Sequence, residues 1–149
     1  MNQAIDQQPG TGSWPDFVVV EGPIGVGKTT LAKRLAKSLG SNMLLEAAEE
    51  NPFLEKFYDD RKRYSFQTQM FFLINRFKQQ EQFNQEDIFS EFVVSDYIFD
   101  KDQIFAYLNL SGEELKLYES VFPLLKSDLR RFDLVIFLQA SVDRLIYNI

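Results

Sequence analysis

The sequence predicts an α/β fold, a parallel sheet of four strands flanked by helices in three layers. Three observations carry that prediction. Short apolar runs recur at Phe17-Val18-Val19-Val20, Met43-Leu44-Leu45, Phe92-Val93-Val94 and Leu134-Val135-Ile136-Phe137-Leu138. Parallel strands, buried on both faces, read as such continuous runs. Segments with helical periodicity lie between them, and strands alternating with helices build parallel sheets. The first run also breaks at Gly22 into a glycine-rich turn that leads straight into a helical pattern.

Residues 1–16 are polar and contain Pro9-Gly10-Thr11-Gly12, which predicts a flexible tail before a single domain over 17–149. Lys28–Leu39 carries Leu31, Leu35 and Leu39, with Ala32 and Ala36 beside them, on one helical face, and Gly40 is suited to end it. An acidic stretch, Glu46–Asn51, follows the second strand. Pro52 opens a short helix over Phe53–Tyr58. Tyr64–Glu86 reads as a long helix, with Phe66, Met70, Phe71, Ile74 and Phe77 on the apolar side and Gln67, Gln69, Arg76 and Gln79 opposite. A further helix is expected over Lys101–Leu108. Ser111-Gly112-Glu113-Glu114 fits a capping box opening Gly112–Lys126. Ser141 is placed to cap a helix that has barely begun at Ile149, one or two turns past what reads as a central strand.

The 149 residues include no Cys and no His. That excludes disulfides, thiolate nucleophiles, Cys/His zinc sites and Ser-His-Asp triads. Proton transfer falls to carboxylates, Lys or Tyr, and a metal partner should be a hard cation with oxygen ligands, Mg²⁺ before Zn²⁺. The net charge of −6 argues against nucleic-acid polymers and anionic membranes as partners. The amino-terminal stretch has neither the basic start nor the apolar run of a signal peptide, and no run reaches the ~18 apolar residues of a membrane span. The expectation is a soluble, cytoplasmic domain.

Gly22-Pro23-Ile24-Gly25-Val26-Gly27-Lys28-Thr29 fits G-x-x-x-x-G-K-[ST] between a predicted strand and a predicted helix, the context this phosphate-binding loop requires. Glycines let the backbone wrap so that its N–H groups converge on phosphate oxygens, and the helix start adds roughly half a positive charge. Gly22, Pro23, Ile24, Gly25, Val26, Gly27, Lys28, Thr29 and Thr30 are therefore the candidate ATP-binding residues. Lys28 would reach the β/γ-phosphates, and the Thr29 hydroxyl would ligate Mg²⁺. The competing reading is a glycine-rich turn before a helix, and the strand before the loop and the helix after it weigh against that. The loop alone does not separate kinases from other nucleotide hydrolases. No Asn is followed by Lys, so the N-K-x-D guanine motif of GTPases is absent. Leu110-Ser111-Gly112-Glu113-Glu114 lacks the rest of the ABC-transporter signature and is read as a helix cap. A small-molecule kinase leads.

Further stretches join the loop in order: Val20–Thr30, Glu46–Leu54 (EAAEENPFL), Tyr64–Lys78 (YSFQTQMFFLINRFK), Ser95–Ala106 (SDYIFDKDQIFA) and Phe137–Ser141 (FLQAS). Together they resemble deoxynucleoside kinases, most nearly the bacterial deoxyadenosine/deoxyguanosine kinases, over nearly everything after Asp16. The resemblance implies a P-loop NTPase-type fold with five parallel strands, and transfer of the γ-phosphoryl group of ATP to the 5′-hydroxyl of a purine deoxynucleoside. It implies Glu46 as general base, ahead of Glu49 and Glu50; Ala47-Ala48 stands where the family often has Pro-Val. Gln69 and Arg76, two helical turns apart, would read the base, and Tyr58 would contact the sugar. Asp96 would sit near Lys28 and, with Thr29, hold Mg²⁺. Tyr97 stands where the family has an arginine, and Lys101 is the proposed partial substitute. Asp102 would contact the base and Phe105 would stack on it. The resemblance also implies a homodimer through helices.

Family members continue beyond FLQAS into an arginine-rich lid and a last strand. The expectation is that the domain is incomplete at its carboxyl end, with weak or absent turnover for these 149 residues alone and an exposed sheet edge. Two rival readings are a thymidylate-type nucleoside monophosphate kinase and a non-catalytic nucleotide-binding or dimerisation module.

Overall fold

The computed structural model describes residues 15–46, 51–86 and 92–149. The elements run β1 (Phe17–Glu21), α1 (Lys28–Leu39), β2 (Asn42–Leu44), α2 (Leu54–Asp59), α3 (Arg61–Glu86), β3 (Val93–Ser95), α4 (Lys101–Asn109), α5 (Gly112–Ser127), β4 (Leu134–Phe137) and α6 (Val142–Asn148). The four strands form one sheet in the order β2-β3-β1-β4, and every pairing is parallel. The predicted α/β architecture is thus the observed one, with strand ends shifted by a residue.

Alternation along β1 builds the three layers, because successive side chains face opposite sides of a sheet. Val20, with Val94 of β3, packs on Ala32 and Ala36 of α1. Phe17 and Val19 pack on the other face with Leu44, Val93 and Tyr97, and Phe83 of α3 covers them. The alanines let α1 lie close to the sheet. Leu31 and Leu35 are only partly buried and Leu39 is exposed, so the apolar stripe is narrower than the sequence suggests. Gly40 ends α1 at φ +62, the left-handed conformation that glycine adopts without steric cost. A second core joins α3, α4 and α5 around Leu73, Phe99, Tyr118 and Phe122.

Several expectations need correction. The tail prediction covers residues 1–16, of which 1–14 lie outside the described residues. Asp16 is already tied to the sheet, its carbonyl accepting from the Val93 amide (2.8 Å) and its amide donating to Asp133 Oδ2 (3.0 Å). Helix α3 begins three residues before Tyr64, because Asp60 Oδ1 accepts from the Arg63 amide (3.2 Å) and caps it. On α3 the fully buried apolar residue is Leu73, whereas Ile74 is exposed. Ser111 does precede α5, but its side chain makes no capping hydrogen bond. Gly112 sits at φ +56, which takes the first helical position out of the geometry a capping box needs. Ser141 does cap α6, its Oγ accepting from the Arg144 amide (3.4 Å). Among the described residues β4 pairs with β1 alone, and Leu134, Val135 and Phe137 are exposed, in line with the expected exposed edge. Among the described residues no helix is long and apolar enough to cross a membrane.

Candidate active site

The carboxyl ends of β1, β2 and β3 converge, as they do where parallel sheets bind ligands. The loop from Gly22 to Gly27 leaves β1 and enters α1. Its glycines answer specific demands. Gly22 has φ +149, and a Cβ there would lie 2.6 Å from the Leu138 carbonyl oxygen. Gly25 has φ +78, and a Cβ would meet the Leu145 carbonyl at 3.0 Å. Gly27 has φ +98 as the residue before α1. The loop is therefore packed against the end of β4 and against α6. Asn148 Nδ2 also donates to the Gly25 carbonyl (2.7 Å), a contact that sequence reasoning missed.

Two of the cavities beside this loop bring the candidate residues together. One, of about 600 Å³, is lined by Ile24, Gly25, Gly27, Lys28, Thr29 and Thr30, and by Glu46, Asp96 and Asn148. The other, of about 560 Å³, lies between the loop and helices α2, α3 and α4, with Glu46, Tyr58, Gln69, Arg76, Lys101 and Phe105 in its wall. Lys28 and Glu46 line both, as does Ile24. Gly22 and Pro23 face the second cavity rather than the first. Val26 lies outside both linings, its amide donating to the Pro23 carbonyl (3.3 Å).

In the first cavity, Lys28 Nζ donates to the carbonyls of Gly22 (3.0 Å) and Pro23 (3.1 Å), which keeps the ammonium at the loop. The Thr29 hydroxyl donates to Asp96 Oδ2 (2.5 Å), and the Glu46 amide donates to Asp96 Oδ1 (2.9 Å). One carboxylate thereby joins the start of α1 to the ends of β2 and β3. Among the described residues no group of three or more acidic side chains converges as a cation cage. A hydroxyl and a carboxylate fit Mg²⁺ nonetheless, because that ion takes one or two protein oxygens and completes its shell with phosphate and water.

The second cavity rests on a buried polar network. Arg76 Nη2 donates to Glu46 Oε1 and Nη1 to Asp102 Oδ1. Gln69 Nε2 donates to Asp102 Oδ2 (2.9 Å) and to its carbonyl (3.0 Å), and the Tyr118 hydroxyl donates to Oδ2 (2.8 Å). Burial lowers the affinity of Arg76 for its proton, but Asp102 and Glu46 outweigh it and hold the guanidinium above its ordinary pKa. Burial pushes the Asp102 carboxyl up, with Arg76, Tyr118 and Gln69 pulling it back. Burial likewise raises the Tyr97 phenol to about 12. Asp102, expected to contact a base, is fully buried and lies behind Gln69 and Arg76 rather than in the cavity wall. Tyr58 and Phe105 are exposed at the cavity wall. Lys101 Nζ pairs with Glu21 Oε2 (3.0 Å), and Glu21 also accepts from the Gly22 amide (2.9 Å). Glu49 and Glu50 lie outside the described residues.

Sequence reasoning also missed the aromatic wall of Phe57 and Phe72, with the Arg76 guanidinium over the Phe72 ring at 5.1 Å. The four-residue spacing of Phe72 and Arg76 on one helix was the available signal. Asn51 was missed as a tether: its Nδ2 donates to the Thr68 carbonyl (3.0 Å) and its Oδ1 accepts from the Phe53 amide (3.0 Å). That fixes the segment leading into α2, which carries Tyr58.

Residues 18–149 match the family model described as deoxynucleoside kinase. The chain belongs to the deoxynucleoside kinase family. It is 43% identical over 136 residues to a deoxyguanosine kinase of Bacillus subtilis, covering 89% of this chain and 65% of the relative. It is 35% identical over 140 residues to a deoxyadenosine/deoxycytidine kinase of the same organism, covering 89% and 64%. Among solved structures it is similar to a deoxyadenosine kinase from M. mycoides with bound dATP, at TM-score 0.70 and 28% identity over 89% of this chain and 69% of that one. The chain thus spans between 45% and 65% of the length of the curated relatives it matches.

Proposed function

We propose that the chain carries the donor and acceptor sites for ATP-dependent phosphorylation of a purine deoxynucleoside at its 5′-hydroxyl. The observation that carries this reading is the junction of the two cavities at Lys28 and Glu46. A phosphate donor in the loop cavity and a nucleoside between α2, α3 and α4 would meet there. Glu46 takes the proton of the 5′-hydroxyl, and the hydroxyl oxygen forms the new bond to the γ-phosphorus. The bond from that phosphorus to the β–γ bridging oxygen breaks, and ADP leaves. Lys28 and the loop amides hold the phosphates, while Thr29 and Asp96 would hold Mg²⁺, which when bound neutralises charge on the phosphate oxygens. Gln69, Arg76, Tyr58 and Phe105 position the nucleoside, and Lys101 supplies positive charge near the junction. Phosphoryl transfer needs mainly positioning and charge stabilisation, which this set supplies without His or Cys.

The two cations that line the acceptor cavity and not the loop cavity favour a neutral acceptor over a nucleoside monophosphate. Arg76 is already matched by Glu46 and Asp102, and Lys101 by Glu21. The names of the relatives, deoxyguanosine and deoxyadenosine kinases among them, support a purine base. Single-turnover transfer from labelled Mg²⁺-ATP tests the reading, with deoxyguanosine, deoxyadenosine, deoxycytidine and thymidine monophosphate compared as acceptors. Labelled purine deoxynucleoside monophosphate is the expected product. Preferred labelling of the monophosphate acceptor overturns the reading. So does absence of product from every acceptor, both in this chain and in one extended to the relatives' length.

A further inference from the structure

We propose that Tyr118, on α5 and outside both cavities, is a positioning residue that sets how the acceptor cavity reads a base, acting through Asp102. The inference rests on reading that cavity as the deoxynucleoside site. Tyr118 is fully buried, with its ring stacked near Phe122 at 5.6 Å between centroids. Its hydroxyl reaches across to α4 and donates to Asp102 Oδ2 at 2.8 Å. The same oxygen accepts from Gln69 Nε2, and the other accepts from Arg76. Three donors from α3 and α5 thus fix one buried carboxylate in a single rotation.

That rotation decides what the cavity presents. Because Gln69 Nε2 is engaged twice by Asp102, its carbonyl oxygen is the atom left for a ligand. A base edge with a ring N–H or an exocyclic amine complements an acceptor there. Without the Tyr118 hydroxyl, one donor to Oδ2 is gone. The carboxylate is then held by two donors instead of three, so its rotation, and with it the set of the Gln69 amide, is less sharply fixed. Arg76 would loosen with it, and Arg76 is also the partner of Glu46.

The test is calorimetric titration of the full 149-residue chain with deoxyguanosine, deoxyadenosine and, separately, ATP. Tyr118→Phe keeps the ring and its packing and removes one hydroxyl. The Kd for both deoxynucleosides should rise about tenfold, the scale of one hydrogen bond to a charged group. ATP affinity should stay within about twofold, since the loop is untouched. Added to Asp102→Asn, the Tyr118 substitution should cost little further, because one acts through the other. Deoxynucleoside affinity unchanged in Tyr118→Phe overturns the proposal. So does a parallel loss of ATP affinity, which marks a general structural role. Independent, additive effects of the two substitutions overturn it as well; should Asp102→Asn not fold, the single Tyr118 variant decides. An unsubstituted chain that binds ATP but no deoxynucleoside overturns the reading of the cavity itself, and the two failures are thereby distinct.

Discussion

Glu46 is fixed at two points by groups of different kinds. Its amide is bound to the Asp96 carboxylate, and its own carboxylate is bound to the Arg76 guanidinium. The backbone contact sets where the residue stands at the end of β2, and the side-chain contact sets which way it faces. Substituting Gln keeps the length and an acceptor oxygen for Arg76, while removing the proton acceptor. Glu46→Gln should therefore lower kcat by about 10²–10⁴, the contribution typical of a positioned general base. Deoxynucleoside Kd should change by less than about threefold, so the loss appears in kcat rather than in binding. Rapid-quench kinetics together with titration calorimetry would separate the two terms. Glu46→Ala differs in kind, because it leaves the buried Arg76 short of one carboxylate and should weaken nucleoside binding as well.

Helix α3 shows at the scale of an element what a sequence conveys and what it conceals. Its periodicity gave a long helix with an apolar stripe, and Phe66, Met70 and Phe77 do pack on the helical core. The unbroken run Met70-Phe71-Phe72-Leu73-Ile74 carries no period of its own, so the pattern could not show that Leu73 is fully buried and Ile74 exposed. The polar face needed the family resemblance to be read, since spacing alone suits an ordinary solvated face. Gln69, Arg76 and Gln80 are buried, because their partners are other side chains and cavity walls rather than water. Hydropathy has no means of telling a solvated polar face from one that lines a site. The phosphate loop, by contrast, was legible, because it is one continuous segment whose glycines and Lys-Thr pair carry their function locally. Contacts that cross the chain left no local trace: Glu21 to Lys101, Tyr118 to Asp102 and Asn148 to Gly25 join residues separated by 80, 16 and 123 positions. Packing of α3 also yields a stability prediction. Leu73→Ala removes a fully buried side chain between α3, α4 and α5, and should cost about 2–5 kcal/mol in urea unfolding. Ile74→Ala, one residue on, should cost under about 1 kcal/mol.

Across the whole molecule, each of three adjacent strands delivers a carboxylate to the same end of the sheet. Glu21 ends β1, Glu46 follows β2 and Asp96 follows β3. In a chain of net charge −6, a site for a polyphosphate must offset that concentration of negative charge. Two of the three are matched by cations already, Glu21 by Lys101 and Glu46 by Arg76. Asp96 differs: among the described residues its partners are the Thr29 hydroxyl and the Glu46 amide, and neither is charged. It is the carboxylate with charge left to offer, and it stands beside the loop that would hold the phosphates. A divalent cation bound with the nucleotide would complete the balance that Lys101 and Arg76 complete elsewhere. Asp96→Asn should then abolish the gain in ATP affinity that Mg²⁺ confers, a loss of about tenfold or more, while leaving ATP binding in excess chelator nearly unchanged. Titrating both proteins with ATP in Mg²⁺ and in chelator gives the comparison directly. Equal Mg²⁺ dependence in the two proteins would remove Asp96 from the cation site and leave its role as the junction of α1, β2 and β3.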